Sequence, residues 1–176
     1  RREVLDGKDL KDNIEKMFNS IVDDVVSTHF NVAENENVNK EALMQDIIDV
    51  FGIIELDSMN KETLDIVEVS EELANKVHEK YEAKEKDFGE NEIRELERVV
   101  VLKVVDQKWM DHIDNMEELK NGIGLRAYGQ KDPVVQYRIE GTDMFEQMNL
   151  DIQTDVVKFL MNARKREGNV QRTSSI

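Results

Sequence analysis

A single proline, Pro133, interrupts a chain of 176 residues that also carries only eight glycines. Proline removes a backbone donor and fixes φ, while glycine raises the entropic cost of order, so these two residues punctuate a fold more strongly than any others. A sequence so poor in both has few places to turn. Sandwiches and barrels, which need a turn roughly every 8–12 residues, are thereby excluded, and long helices are the expected alternative. The absence of cysteine removes a disulfide framework, a thiolate nucleophile and any cysteine zinc site. Charge narrows the classes further. Residues 1–98 hold 27 acidic and 13 basic side chains, whereas residues 99–176 hold 12 and 11. An acidic first part of that size repels phosphate, which argues against duplex nucleic acid as a partner. No apolar run approaches the roughly 18–20 residues of a membrane span, and the N-terminus has no signal-peptide pattern. Arg1-Arg2-Glu3 reads as the middle of a helix, and hence as part of a longer chain.

Hydrophobic spacing orders the helices. Asp9 or Asp12 is expected to cap a first helix with Leu10, Ile14, Met17, Phe18, Ile21 and Val25 on one face. Asn31 to Val38 reads as a loop. Asn39 then caps a short helix carrying Leu43, Ile47, Ile48 and Phe51, which Gly52 stops. Asn60 or Ser70 starts a further helix that turns Leu64, Val67, Leu73, Val77 and Tyr81 inward, with Glu71 and Glu72 suited to its first turn, and Gly89 ends or bends it. From Asn91 a long helix places Ile93, Leu96, Val100, Val105, Trp109, Ile113, Met116 and Leu119 on its buried side. The block from Val99 to Val105 could stand alone as a strand, but periodic charged sequence on both flanks favours helix. Asn121-Gly122-Ile123-Gly124 is read as its stop. Asp132-Pro133 restarts a helix as cap and first residue, with a seam at Val134, Tyr137, Gly141, Phe145, Met148, Ile152, Val156 and Phe159. Two long elements joined by about ten residues form a helical hairpin. The expected fold is all-α, with a small helical wing beside a long antiparallel hairpin. Gly168 to Ile176 read as a disordered tail.

Catalytic signals are missing. His29, His78 and His112 stand far apart and match no metal-ligand spacing, and His112 reads as a packing residue. No phosphate-binding G-x-x-x-x-G-K-[ST] loop occurs, and acid pairs such as Asp23-Asp24 and Glu117-Glu118 suit exposed helix faces. The informative segment is the link Gly124-Leu125-Arg126-Ala127-Tyr128-Gly129-Gln130-Lys131-Asp132-Pro133. Arg126 and Lys131 flank a tyrosine whose small neighbours offer its ring little shelter. An amphipathic ring at a hairpin tip can grip a partner or fold back onto its own hairpin, and residue types alone leave both open.

The runs Trp109-Met110-Asp111-His112, Leu119 to Pro133, Tyr137-Arg138-Ile139-Glu140-Gly141 and Met144-Phe145 strongly resemble the C-terminal part of the SecA family of bacterial preprotein translocase ATPases. The resemblance is ungapped over about residues 98–163 and looser before it. It implies that residues 1–6 end a long scaffold helix, 7–90 form a helical wing domain, 91–165 form the helical scaffold with its two-helix finger, and 166–176 are a tail. It further implies a non-catalytic segment, with no cofactor of its own, in a protein whose other domains use ATP and Mg. The finger loop, matched here by Arg126, Tyr128, Gln130 and Lys131, would contact the translocating preprotein at the SecYEG channel. The scaffold helices would pack on the motor domains and restrain their ATPase, and the protein would work in the cytoplasm, peripheral to the inner membrane. Where the family usually has Gly-Tyr-Ala, this chain has Ala127-Tyr128-Gly129. A self-contained helical protein-interaction module is the competing reading.

Overall fold

The computed structural model describes Val4 and residues 10–30, 38–126 and 132–165. Among these the regular structure is entirely helical. It comprises α1 (Lys11–His29), α2 (Lys40–Phe51), a 3-10 turn (Asp57–Asn60), α3 (Ile66–Phe88), α4 (Glu90–Arg126) and α5 (Pro133–Asn162). The all-α expectation holds, and the valine-rich block at 99–105 lies inside α4.

Capping explains most of the boundaries. The Asn39 side chain accepts from the Ala42 N–H at 3.1 Å, and Gly52, at φ 61°, closes α2 in the left-handed region that suits glycine. The Asp132 carboxylate accepts from the Val134 N–H at 2.8 Å, with Pro133 at the first turn of α5. Two starts differ from the sequence reading. Leu10 holds the N-cap position of α1 without a side-chain cap, and Asp12 instead lies in the first turn. Asp65 caps α3, accepting from the Val67 N–H at 2.8 Å, whereas Asn60 ends the 3-10 turn and Ser70 lies within the helix. The cause is Glu72. Its two carboxylate oxygens accept from the N–H groups of Asp57 (2.6 Å) and Ser58 (2.9 Å), which ties the 3-10 turn alongside α3. With the start fixed at Asp65, Val67 faces outward at 60% exposure, and Val69 takes the buried position.

One apolar core joins the wing helices to the base of the hairpin. Phe18 and Ile21 of α1, Ile47 and Phe51 of α2, and Leu73 and Val77 of α3 meet Ile93, Val101 and Val104 of α4. Val156, Val157, Leu160 and Met161 of α5 complete it. Each such side chain contributes about 1.5–3 kcal/mol when fully buried. Lysines close the helix ends around this core. The Lys80 ammonium donates to the carbonyls of Phe51 (2.6 Å) and Gly52 (2.8 Å) at the end of α2. Lys84, one turn on, donates to Leu160, Met161 and Ala163 at 2.8, 2.9 and 2.6 Å at the end of α5. Lys165 returns the contact, donating to Asp87 and Phe88 at the end of α3. A cation at these carbonyls satisfies orphan acceptors and opposes the negative end of the helix dipole. Burial, with the neighbouring charges of Lys80 and Arg164, pulls the Lys84 amine down to about 8.

Gly89, at φ 88°, is the single residue between α3 and α4. Side chains lock the junction. The Tyr81 hydroxyl and the Arg94 guanidinium both donate to one oxygen of the fully buried Glu97 carboxylate, and Arg94 also pairs with Glu85. Burial, followed by the bond to Glu97 and its charge, pushes the Tyr81 hydroxyl pKa up.

Candidate functional site: the hairpin arm

The shared core takes side chains from α4 only as far as Val105 and from α5 only from Leu150 onward. Beyond that line the two helices form an arm in which, among the described residues, they pack on each other. From Asp106 to Arg126, at 1.5 Å per residue, the arm extends roughly 30 Å. Its seam is built from unlike residues. Lys108 bonds to Asp155 at 3.0 Å and lies 4.0 Å from Asp151, and the bond to Asp155 raises its pKa against the opposing effect of burial. The His112 ring meets Phe145 edge-on at 5.9 Å and Trp109 at 5.8 Å. A Cβ placed on Gly141 would stand 3.0 Å from the Met116 methyl, so that glycine lets the helices approach closely. Leu119 and Met148 are buried. Nearer the tip, Lys120 and Ile123 line an apolar groove with Pro133, Val134 and Tyr137.

This seam corrects the helical faces read from the sequence. Trp109 and Ile113, assigned to the core, are 48% and 50% exposed, and Val134, Phe145 and Phe159 are also substantially open. The line on α4 that faces α5 instead passes through Val101, Val104, Lys108 and His112 before it meets the expected Met116 and Leu119. The physical reason is the shape of the arm. A pair of helices buries one narrow line between them, and the remaining apolar side chains face outward. The packing role expected for His112 is observed. Lys108 was missed because a lysine breaks an apolar pattern; its spacing of four from Val104 and from His112 was the available signal.

Helix α4 also runs further than expected. Asn121-Gly122-Ile123-Gly124 was read as a stop, yet the helix continues through it to Arg126. Of the predicted contact residues, Arg126 closes the helix with its side chain outside the described residues, and Tyr128, Gln130 and Lys131 also lie outside them. The expected loop at 31–38 falls outside them as well, except for Val38, and so does the tail. Among the described residues no group of three or more His, Cys, Asp and Glu side chains converges to hold a metal. His29 instead pairs with Asp46 at 2.7 Å, and His78 with Asn19 at 3.2 Å. No described helix is long and apolar enough to cross a membrane.

These features define a helical wing whose core anchors a projecting two-helix arm. The chain belongs to the SecA Wing and Scaffold domain family, whose profile matches residues 1–164. It is 43% identical over 168 residues to the protein translocase subunit SecA of Clostridium acetobutylicum, covering 93% of this chain and 20% of that protein. Against the subunit of Acetivibrio thermocellus it is 44% identical over 172 residues, covering 92% and 18%. Against that of Clostridium botulinum the identity is 42% over 185 residues, covering 99% and 22%. The chain thus spans about a fifth of the length of the curated relatives it matches.

Proposed function

We propose that this segment is the non-catalytic, polypeptide-engaging arm of a protein translocase. In this reading residues 7–90 are the wing, and residues 91–165 are the scaffold hairpin. The segment bearing Arg126, Tyr128, Gln130 and Lys131 contacts the preprotein at the SecYEG channel, on the cytoplasmic face of the membrane. The scaffold helices meanwhile pack on motor domains that bind ATP and Mg, and restrain their hydrolysis. The observation that carries the proposal is the register of the arm. His112 faces Phe145, Met116 faces Gly141, and Ile123 shares its groove with Val134. Each of these pairs is centred in sequence on the point between Tyr128 and Gly129. An arm that projects beyond the core, with its contacts centred on a tyrosine flanked by Arg126 and Lys131, is suited to offering one amphipathic ring to a passing chain.

Replacing Tyr128 tests this. Tyr128→Ala should change the stability of the segment by less than about 0.5 kcal/mol, as is usual for surface positions. In a translocase carrying the segment it should slow preprotein transport while leaving nucleotide binding intact, and Tyr128→Phe should keep more activity than Tyr128→Ala. Restoring the family's Gly-Tyr-Ala order should be nearly neutral. Unchanged transport in the Ala variant would refute the role assigned to the ring.

A further inference from the structure

Glycine inside a helix weakens it relative to alanine, so each helical glycine calls for a reason. The other described glycines have visible ones. Gly52 and Gly89 adopt positive φ, and Gly141 admits the Met116 methyl. Gly122 and Gly124, in the last turns of α4, have neither. Neither takes a positive φ, and a Cβ built on either would meet no described atom of a neighbouring side chain or element within 4 Å. Alanine would fit both positions and strengthen the helix. No described residue of α4 beyond Leu119 is buried, and Ile123 lies only partly covered against Pro133, Val134 and Tyr137.

We infer that the end of α4, from Asn121 to Arg126, is a helix–coil switch. The two glycines bring the helical and extended forms of this stretch close to balance. Packing of Ile123 in its groove favours the helix, and the greater backbone entropy of glycine favours the coil. Uncoiling changes the rise from about 1.5 to about 3.3 Å per residue, so the stretch lengthens by roughly 10 Å while the seam below Leu119 stays in register. The arm thereby gains a tip of variable reach on a fixed shaft. The switch itself does not depend on the transport role proposed above; only the second arm of its test does.

Amide hydrogen exchange on this chain reads the equilibrium directly. The amides of residues 121–126 should exchange far faster than those of 112–119, and Gly122→Ala with Gly124→Ala should slow them about 5-fold per substitution. Gly141→Ala, on the facing helix, should not slow them. Equal protection along α4 in the natural chain, or no slowing in the double variant, would overturn the inference. In a translocase carrying the segment, the double variant should bind nucleotide normally and transport preprotein more slowly. Asn121→Gly added to it should recover transport, because that change restores local instability at a different position. Slowed exchange with wild-type transport in the double variant would support the switch and refute its use in transport. Normal transport by Tyr128→Ala alongside slowed transport by the double alanine variant would refute the ring's role and leave the switch standing.

Discussion

Trp109 is the largest side chain on the arm, and nearly half of it is open. Its covered part rests on His112, so truncation removes only a fraction of the contacts a core tryptophan would make. Trp109→Ala is therefore expected to cost roughly half of the about 3–5 kcal/mol typical of a buried tryptophan, measured by urea unfolding. Glu72 acts in the opposite way, as a small exposed-looking acid with a structural task. Burial alone would raise its pKa, but hydrogen bonds from Ser58, from the Asp57 backbone and from Lys76 outweigh burial and hold it at about 2, against an ordinary value of 4.5. A carboxyl with a lowered folded pKa binds fewer protons in the native state than in the unfolded one. Its stabilisation is thus complete above about pH 4.5 and fades as the pH falls toward 2. Glu72→Gln should be less stable than the natural chain at pH 7, and the difference should shrink across that window. A difference independent of pH would contradict the assigned bonds. Neither role was legible in the sequence: Trp109 looks like a core residue and Glu72 like an ordinary first-turn acid, because both depend on what lies across from them.

At the scale of elements, legibility followed the source of each boundary. Helix ends made by local chemistry, at Asn39, Gly52, Asp132 and Pro133, could be read directly, since the cap and its donor lie within a few residues. Ends made by distant partners could not. The 3-10 turn ahead of α3 is held by Glu72, 14 and 15 residues further along the chain, although the Asp65 cap itself is local. The end of α5 is held by Lys84, 76 or more residues away, and Lys80 adds a distant contact to the locally set Gly52 stop of α2. The seam of the arm was hidden because its pairs are Lys108 with aspartates, His112 with Phe145, and Met116 with a glycine. The Met116–Gly141 contact permits a sharp test. Gly141→Val would drive a branched side chain into the Met116 methyl and should destabilise the arm by about 1–3 kcal/mol. The loss should appear in thermal unfolding followed by circular dichroism, and Met116→Ala in the same chain should recover part of it by opening space. A neutral Gly141→Val would mean that the helices do not approach as closely as the structure places them.

At the scale of the molecule, wing and hairpin base share one core, so they should unfold together. Phe18→Ala in α1 and Val157→Ala in α5 should each lower a single common transition rather than two separate ones, with the larger side chain costing more. Two transitions, each sensitive to only one variant, would show that the core is not shared. The same organisation explains how much of the function could be read. The arm and the runs of sequence around its tip point to the translocase family, while the wing helices beside it read only as acidic amphipathic helices. The central claim is that the arm delivers its tip to a moving polypeptide, and site-specific crosslinking tests it most directly. This segment has no cysteine, so with any cysteines of the remaining domains replaced a photoreactive label can be attached to single introduced cysteines. In a translocase carrying this segment, loaded with a stalled preprotein, a label at Tyr128→Cys should crosslink strongly to the preprotein. A label at Asp24→Cys on α1 should give little product. Equal labelling at the two positions, or capture by Asp24→Cys alone, would contradict the account.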